Sequence, residues 1–431
     1  MAKTDSVFEQ IEKTNCLIIL PVIKGTIKPD LVLFKLEEAE GLATTLELNV
    51  VDKFIIYTKE FKPSTLITSG KIEEIKPLIA HFKVGLVYID MPLTPVQQRN
   101  LERALNAKVI DRTGIILEIF ASRARTKEGK LQVRLAQLDY QKSRLVRLWT
   151  HLERQRGGLG KTGGPGETQL ELDKRMIRDE MAKIKKHLEK VRVTRDLHRK
   201  NRDATPYPIV ALVGYTNAGK STLFNLLSGA GVLAEDKLFA TLDPTMRLIK
   251  LPSRKTVILS DTVGFIADLP TELIAAFRAT LEEVAESTII LHVKDSSSPM
   301  CEKQERDVAE VMRSLGLVEK WKNNTIHVYN KVDKLDSTDD LPEDAIKISA
   351  LKKQGINELL QKIDEKLMEN DVKLSISLHV KESDKISWLY KHASILSVEN
   401  IEDSITFEVS IDEANLMKWN AINSDHIKTL H

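Results

Sequence analysis

PIVALVGYTNAGKSTLFNLLS, residues 208–228, decides the fold around it. The apolar run Pro208–Val213 reads as a buried strand. It passes without a break into Gly214, Tyr215, Thr216, Asn217, Ala218, Gly219, Lys220 and Ser221, with a helical stretch, Thr222–Ser228, behind them. Strand, glycine-bounded loop and helix in that order aim successive backbone N–H groups at one point, the N-terminus of a helix, where an anion is favoured. The spacing from Gly214 to Gly219-Lys220-Ser221 is that of a phosphate loop in its required context. Lys220 is then expected to reach the β- and γ-phosphates of a nucleotide, and the Ser221 hydroxyl to ligate Mg²⁺.

Further elements follow in the order such a domain needs. The strand Thr256–Leu259 ends in Ser260-Asp261-Thr262-Val263-Gly264. An acidic residue at a strand end is where Mg²⁺ is held, commonly through water, and Gly264 offers an N–H to a γ-phosphate. The strand Thr325–Tyr329 delivers Asn330, Lys331, Val332 and Asp333. The Asp333 carboxylate can accept two hydrogen bonds from guanine N1–H and its 2-amino group, neither of which adenine offers. Asn330 can brace the phosphate loop, the Lys331 stem can cover the base, and Ser349, Ala350 and Leu351, after the short strand Ala345–Ile348, suit a backbone N–H to guanine O6. Each piece alone is also a common turn. Four in order at strand ends point to a guanine site, and a site built on such bonds rejects the wrong base by about 10⁴-fold.

The rest of the chain organises around this domain. Of 431 residues, 42% are hydrophobic and 29% charged, a globular composition large enough for two to four domains. Residues 15–115 alternate strands (Cys16–Val22, Lys53–Thr58, Val84–Asp90, Lys108–Asp111) with helical stretches (Pro29–Leu48, Ser64–Phe82, Thr94–Asn106), as a small domain with a mainly parallel sheet would. Leu131, Leu135, Leu138 and Leu145, and again Ile177, Met181, Ile184 and Leu188, follow heptad-like spacing, which predicts an antiparallel helical hairpin. Its second helix is expected to begin near Gln169, behind the capping box Thr168–Glu171. The joining loop, RGGLGKTGGPGE (156–167), holds six glycines, so it is either a flexible connection or a tip whose bare backbone approaches a partner. Residues 121–202 carry 23 Lys and Arg against 10 Asp and Glu, whereas the whole chain is only +2. That fits either a solvated helical surface or a polyanion partner.

The segments FATLDPTMR (239–247) and GGPGETQLELDKR (163–175) resemble the first switch and glycine-rich linker of HflX-type GTPases, in the Obg–HflX branch. The resemblance covers about residues 15–370. It implies that Thr241 ligates Mg²⁺ and closes on the γ-phosphate, with Thr245 as the alternative, and that Phe239, Ala240, Thr241, Leu242 and Asp243 border the nucleotide. It also implies hydrolysis of GTP to GDP and phosphate, use of ATP by some relatives, and binding to the rRNA of the large ribosomal subunit to split or rescue stalled ribosomes. Lys220, Thr241 and Gly264 become the catalytic candidates. Phe265 stands where many GTPases place the glutamine that orients water. Either hydrolysis waits for a partner, or another residue of the switch orients the water.

The expected architecture is a multidomain α/β protein: an N-terminal α/β domain (1–121), a basic helical hairpin (122–204), a Ras-like GTPase domain (205–370) and a small α/β C-terminal domain (371–431) without recognisable chemistry. Cys16 and Cys301 lie far apart with no metal-ligand neighbours, and His292, in an apolar strand, reads as a satisfied core residue. With no run long enough to span a bilayer, the expectation is a cytoplasmic monomer, peripheral membrane association being left open. A GTP-dependent RNA-binding switch with incidental hydrolysis is the second reading, and a membrane-linked signalling GTPase the third.

Overall fold

A computed structural model of the chain describes residues 14–148, 165–202, 207–229, 238–239, 241, 245–267, 283–343, 345–369, 371–401, 404–411, 413–422 and 428–429. The first unit contains β1 (Asn15–Ile23), α1 (Pro29–Thr45), β2 (Asn49–Thr58), α2 (Ser69–His81), β3 (Leu86–Ile89), α3 (Pro95–Leu105) and β4 (Lys108–Asp111). Its sheet runs β2-β1-β3-β4 with every pairing parallel. Alternation along β1 serves two cores, as a parallel sheet covered on both faces requires. Leu17 and Ile19 pack with Ile72, Ile75 and Leu101, whereas Cys16 and Ile18 pack with Ala39 and Leu42. Thr94 closes the expected cap of α3: the Gln97 N–H donates to its Oγ1 at 3.2 Å, and its own N–H donates to Gln97 Oε1 at 2.9 Å. Helix α2 starts at Ser69, later than expected, because Leu66 is left-handed (φ 64°) and pairs its backbone with Lys62.

An element not anticipated follows, α4 (Arg112–Arg123). Asp111 caps it, Oδ1 accepting the Gly114 N–H at 2.8 Å. Then come α5 (Lys127–Leu148) and α6 (Pro165–Arg202), the expected hairpin, with Leu131, Leu135 and Leu138 against Ile177, Met181, Ile184 and Leu188. The second helix begins at Pro165 rather than near Gln169; proline's fixed φ suits a first helical position, where its missing N–H would have had no helical partner. Most of the glycine-rich tip, 156–164, lies outside the described residues.

The next unit has β5 (Ile209–Val213), α7 (Lys220–Ser228), β6 (Thr245–Lys250), β7 (Thr256–Asp261), β8 (Ile289–Asp295), α8 (Cys301–Ser314), α9 (Val318–Asn323), β9 (Thr325–Asn330), β10 (Ile346–Lys347) and α10 (Ile356–Met368). Its sheet runs β10-β9-β8-β5-β7-β6, all parallel except β6, which is antiparallel to β7. Strand order turns at β5, so the crevice beyond its carboxyl end is where an open α/β sheet takes a ligand. The last unit, β11 (Val372–His379), α11 (Ser383–His392), β12 (Ser394–Ile401), β13 (Ser404–Ile411), α12 (Glu413–Ile422) and β14 (Lys428–Thr429), is an antiparallel sheet in the order β12-β13-β11-β14 over Trp419 and Phe407. The Lys255–Asp371 ion pair at 2.9 Å ties it to the preceding unit.

The first and third units share one core, in which Tyr88, Ile116 and Phe120 join Phe239, Phe265, Ile266 and Ala267. At its edge Arg112 is 3% exposed. Its Nη1 meets Asp90 at 2.6 Å and its Nη2 meets Glu38 at 2.9 Å. Its Nε and Nη2 also donate to the Ala267 carbonyl at 3.2 and 3.1 Å. Burial pushes the Glu38 carboxyl up and Arg112 draws it back. Removing one partner of a buried ionic group leaves the others uncompensated, so Arg112→Met should cost about 3–5 kcal/mol. Arg134→Met, which breaks the exposed Arg134–Glu180 pair, should cost less than about 1 kcal/mol. Denaturant midpoints of the two variants check this, and equal shifts would show that the Arg112 cluster is not a stabilising joint.

Candidate functional site

Strand β5 lies between β7 and β8, so the loop that leaves it is fixed on both sides. Gly214 turns with φ 153°, and a Cβ there would lie 2.1 Å from the Val293 carbonyl oxygen. Gly219 caps α7 with φ 91°, and a Cβ would lie 2.2 Å from Asn330 Nδ2. Both contacts are with firmly held groups, so only glycine fits. Asn217 takes the left-handed conformation at φ 59°. Lys220, 5% exposed, donates from Nζ to the Tyr215 carbonyl at 2.6 Å, and burial lowers its pKa to about 8 against the attraction of Asp261. An ammonium held this way, beside loop amides at a helix start, is suited to a phosphate.

Three oxygens meet at the start of that helix. Ser221 Oγ donates to Asp261 Oδ2 at 2.8 Å, Thr241 Oγ1 donates to the same oxygen at 2.7 Å, and the two hydroxyls are 3.0 Å apart. Asp261 is the last residue of β7, and its buried Oδ1 has no hydrogen-bond partner among the described residues. Burial raises the Asp261 carboxyl, while Thr241, Lys220 and Ser221 lower it. Small, hard oxygen donors around an unsatisfied carboxylate fit Mg²⁺. Thr245 instead sits exposed in β6, paired with Asp261 along the ladder. Thr262 Oγ1 donates to the Leu212 carbonyl at 2.6 Å and fixes the strand end. Gly264 passes so close to Lys220 that a Cβ would lie 3.0 Å from Nζ.

The far end of the cleft is tied to the phosphate loop by one side chain. Asn330 donates from Nδ2 to the Ala218 carbonyl at 2.8 Å and accepts the Ala350 N–H on Oδ1 at 3.0 Å. Lys331, left-handed at φ 65°, pairs with Asp295 at 2.7 Å. A hydrogen bond with the Ser349 side chain holds the Asp333 carboxyl below its usual value. A cleft of about 430 Å³ results, lined by Thr216, Asn217, Gly219, Lys220, Ser221, Thr222, Phe239, Thr241, Thr262, Gly264, Asn330, Lys331, Asp333, Ala350 and Leu351 among others.

The expected residues therefore come together, with four qualifications. Ala240, Leu242 and Asp243 lie outside the described residues. Tyr215 reaches away, its hydroxyl donating to Asp307 at 3.1 Å. Val263 and Phe265 point into the core shared with the first unit. Of the Ser349–Leu351 amides, one of which was expected at a base, that of Ser349 goes to the Gln354 carbonyl and that of Ala350 to Asn330. Sequence reasoning missed Asp295, although an acid closing the apolar strand β8 beside the two motif strands was a usable signal.

Family models describe the chain almost end to end: GTP-binding GTPase N-terminal at residues 34–121, GTP-binding GTPase Middle Region at 123–202, 50S ribosome-binding GTPase at 209–331 and HflX C-terminal domain at 335–420. The last match carries the likeness past residue 370, where the sequence resemblance had stopped. The GTPase HflX of Magnetococcus marinus is 47% identical over 404 residues, 93% of each chain. That of Lacrimispora saccharolytica is 46% identical over 374 residues, 86% of this chain and 88% of the relative. A GTP-binding protein from Sulfolobus solfataricus, solved in complex with GDP, is 24% identical with a TM-score of 0.45, covering 82% of this chain and 99% of that one. Identity of this extent over most of the chain, together with the four matched regions, places the chain in the HflX family of GTPases.

Proposed function

We propose that this GTPase binds GTP and GDP with Mg²⁺ in the 214–351 cleft and acts, as a monomer, on the rRNA of the large ribosomal subunit, where it splits or rescues stalled ribosomes. The observation that carries the nucleotide reading is the meeting of Ser221, Thr241 and Asp261 at the head of the phosphate loop. Ser221 and Thr241 would hold Mg²⁺ with Asp261 behind them, and the bound ion would offset charge developing on phosphate oxygens. Lys220 exchanges the Tyr215 carbonyl for the β- and γ-phosphates. Gly264 and Thr241 close on the γ-phosphate through N–H and hydroxyl, and that ordering is lost with GDP. Asp333 reads the guanine edge, with Asn330 fixing its distance from the phosphate loop. Phe265 is buried at 6% exposure and orients no water, so unassisted turnover is slow, near the ~10⁻⁴–10⁻² s⁻¹ of GTPases that await a partner.

Ribosome action is supported by the match to a 50S ribosome-binding GTPase model and by the +13 hairpin segment, whose Lys and Arg suit phosphate contacts. A membrane role finds no comparable support, and among the described residues no helix is long and apolar enough to cross a membrane.

Asp333→Asn should weaken GDP binding by roughly 10²–10⁴-fold and favour XDP, whose 2-oxo group needs a donor. Titration with labelled GDP and XDP decides, and an unchanged preference would remove Asp333 from the base pocket. Adding large subunits should raise GTP turnover at least about tenfold, and a short Ser/Asn turn in place of 156–167 should abolish the stimulation while sparing GDP binding. Equal stimulation of the loop-replaced protein would make the tip a connector; turnover indifferent to subunits would favour the RNA-binding switch with incidental hydrolysis.

A further inference from the structure

Away from the motif residues, β8 and β9 place two histidines side by side. His292 and His327 are register partners, and their Nδ1 atoms are 3.3 Å apart. Glu305, on α8, reaches over the same sheet face, with Oε1 3.7 Å from His327 Nδ1. The three ligand atoms lie within 4.8 Å of one another. We propose that His292, His327 and Glu305 bind a borderline divalent metal ion of the Zn²⁺ or Co²⁺ class, unlike the oxygen-only setting at Ser221 and Thr241.

The bite supports this. Two ligands on one tetrahedral ion, at bond lengths of roughly 2.0–2.1 Å, stand about 3.3 Å apart. The Glu305 oxygen is 3.7 Å from His327 Nδ1, and with the three atoms spanning up to 4.8 Å it must swing inward by side-chain rotation to complete the set. Imidazole nitrogens with one carboxylate select Zn²⁺ or Co²⁺ over Mg²⁺. Burial, helped by the charge of Lys294, lowers the His292 pKa well below its ordinary value, so this ring is a neutral ligand at physiological pH. Trp321 lies against it, ring centroids 4.9 Å apart, and excludes water on that side. The side chains of His327 and Glu305 are 40% and 35% exposed, so an ion can enter and keep a water in its fourth position.

Lys294 opposes the ion. Its ammonium contacts Glu305 Oε1 at 2.7 Å and the Tyr329 hydroxyl at 3.1 Å. The metal takes over the charge partner of Lys294, which stays above the Tyr329 ring, 4.5 Å from its centroid. A cation this close weakens the site, and removing it strengthens the site.

Full-length, tag-free protein, stripped of metal and saturated with GDP and Mg²⁺, is titrated with Co²⁺ in the visible range. Intense bands of four-coordinate Co²⁺, complete at one equivalent and erased by Zn²⁺, are expected. His327→Gln and Glu305→Gln should weaken binding at least about tenfold, and Lys294→Met should tighten it about tenfold. GDP binding by the same samples verifies that each variant is folded. Absence of the bands, bands that persist in His327→Gln, or a Lys294→Met variant that binds no tighter would overturn the proposal, leaving a histidine pair sharing a proton.

Discussion

The amide of Asn330 is the joint on which the site depends. It holds Ala218 in the phosphate loop with one end and Ala350 beyond β10 with the other. Both bonds are buried, so losing either leaves a polar group unpaired at a cost of about 1–3 kcal/mol. The same joint dictates its neighbour: Gly219 must lack a side chain because Asn330 Nδ2 occupies that space. The span of the cleft, from the phosphate loop to Ala350, is thus set by bonds inside the protein.

The phosphate end is coupled in a second direction, toward the N-terminal unit. Phe239 meets Phe120 edge to face, centroids 4.7 Å apart, and Arg112 holds the carbonyl of Ala267, two residues beyond Phe265. Phe265 joins that core, while its backbone pairs with the phosphate loop through Thr216 N–H to Phe265 O at 2.6 Å and Phe265 N–H to Gly214 O at 3.0 Å. A glutamine there would bury an amide without water to orient. The chain around Gly264 is thus packed and hydrogen-bonded against the N-terminal unit.

How much of this was legible follows from how far apart the interacting residues lie. The phosphate loop, the Thr94 cap and the hairpin heptads are local or periodic patterns, and each could be read from the residues alone. The order of motifs at strand ends made the candidate cleft legible as well, down to Asn330 bracing the loop. What escaped depends on distant partners. Arg112 meets Ala267 across 155 positions, and nothing beside Arg112 in the chain signals a buried guanidinium. Helix α4 was missed because the run Gly114–Phe120 is apolar on nearly every side and shows no amphipathic period. Strand β6 was missed because its exposed, mixed sequence gains order only from pairing with β7. The cross-strand histidine pair required the register of β8 on β9.

The central claim is that the γ-phosphate, sensed by Thr241 and Gly264, controls engagement of the large ribosomal subunit. Affinity for purified large subunits, measured by pelleting with a nonhydrolysable GTP analogue and with GDP at two salt concentrations, tests it most directly. The account predicts binding at least about tenfold tighter with the analogue, falling steeply with salt in both states. Equal affinity in the two nucleotide states would contradict it.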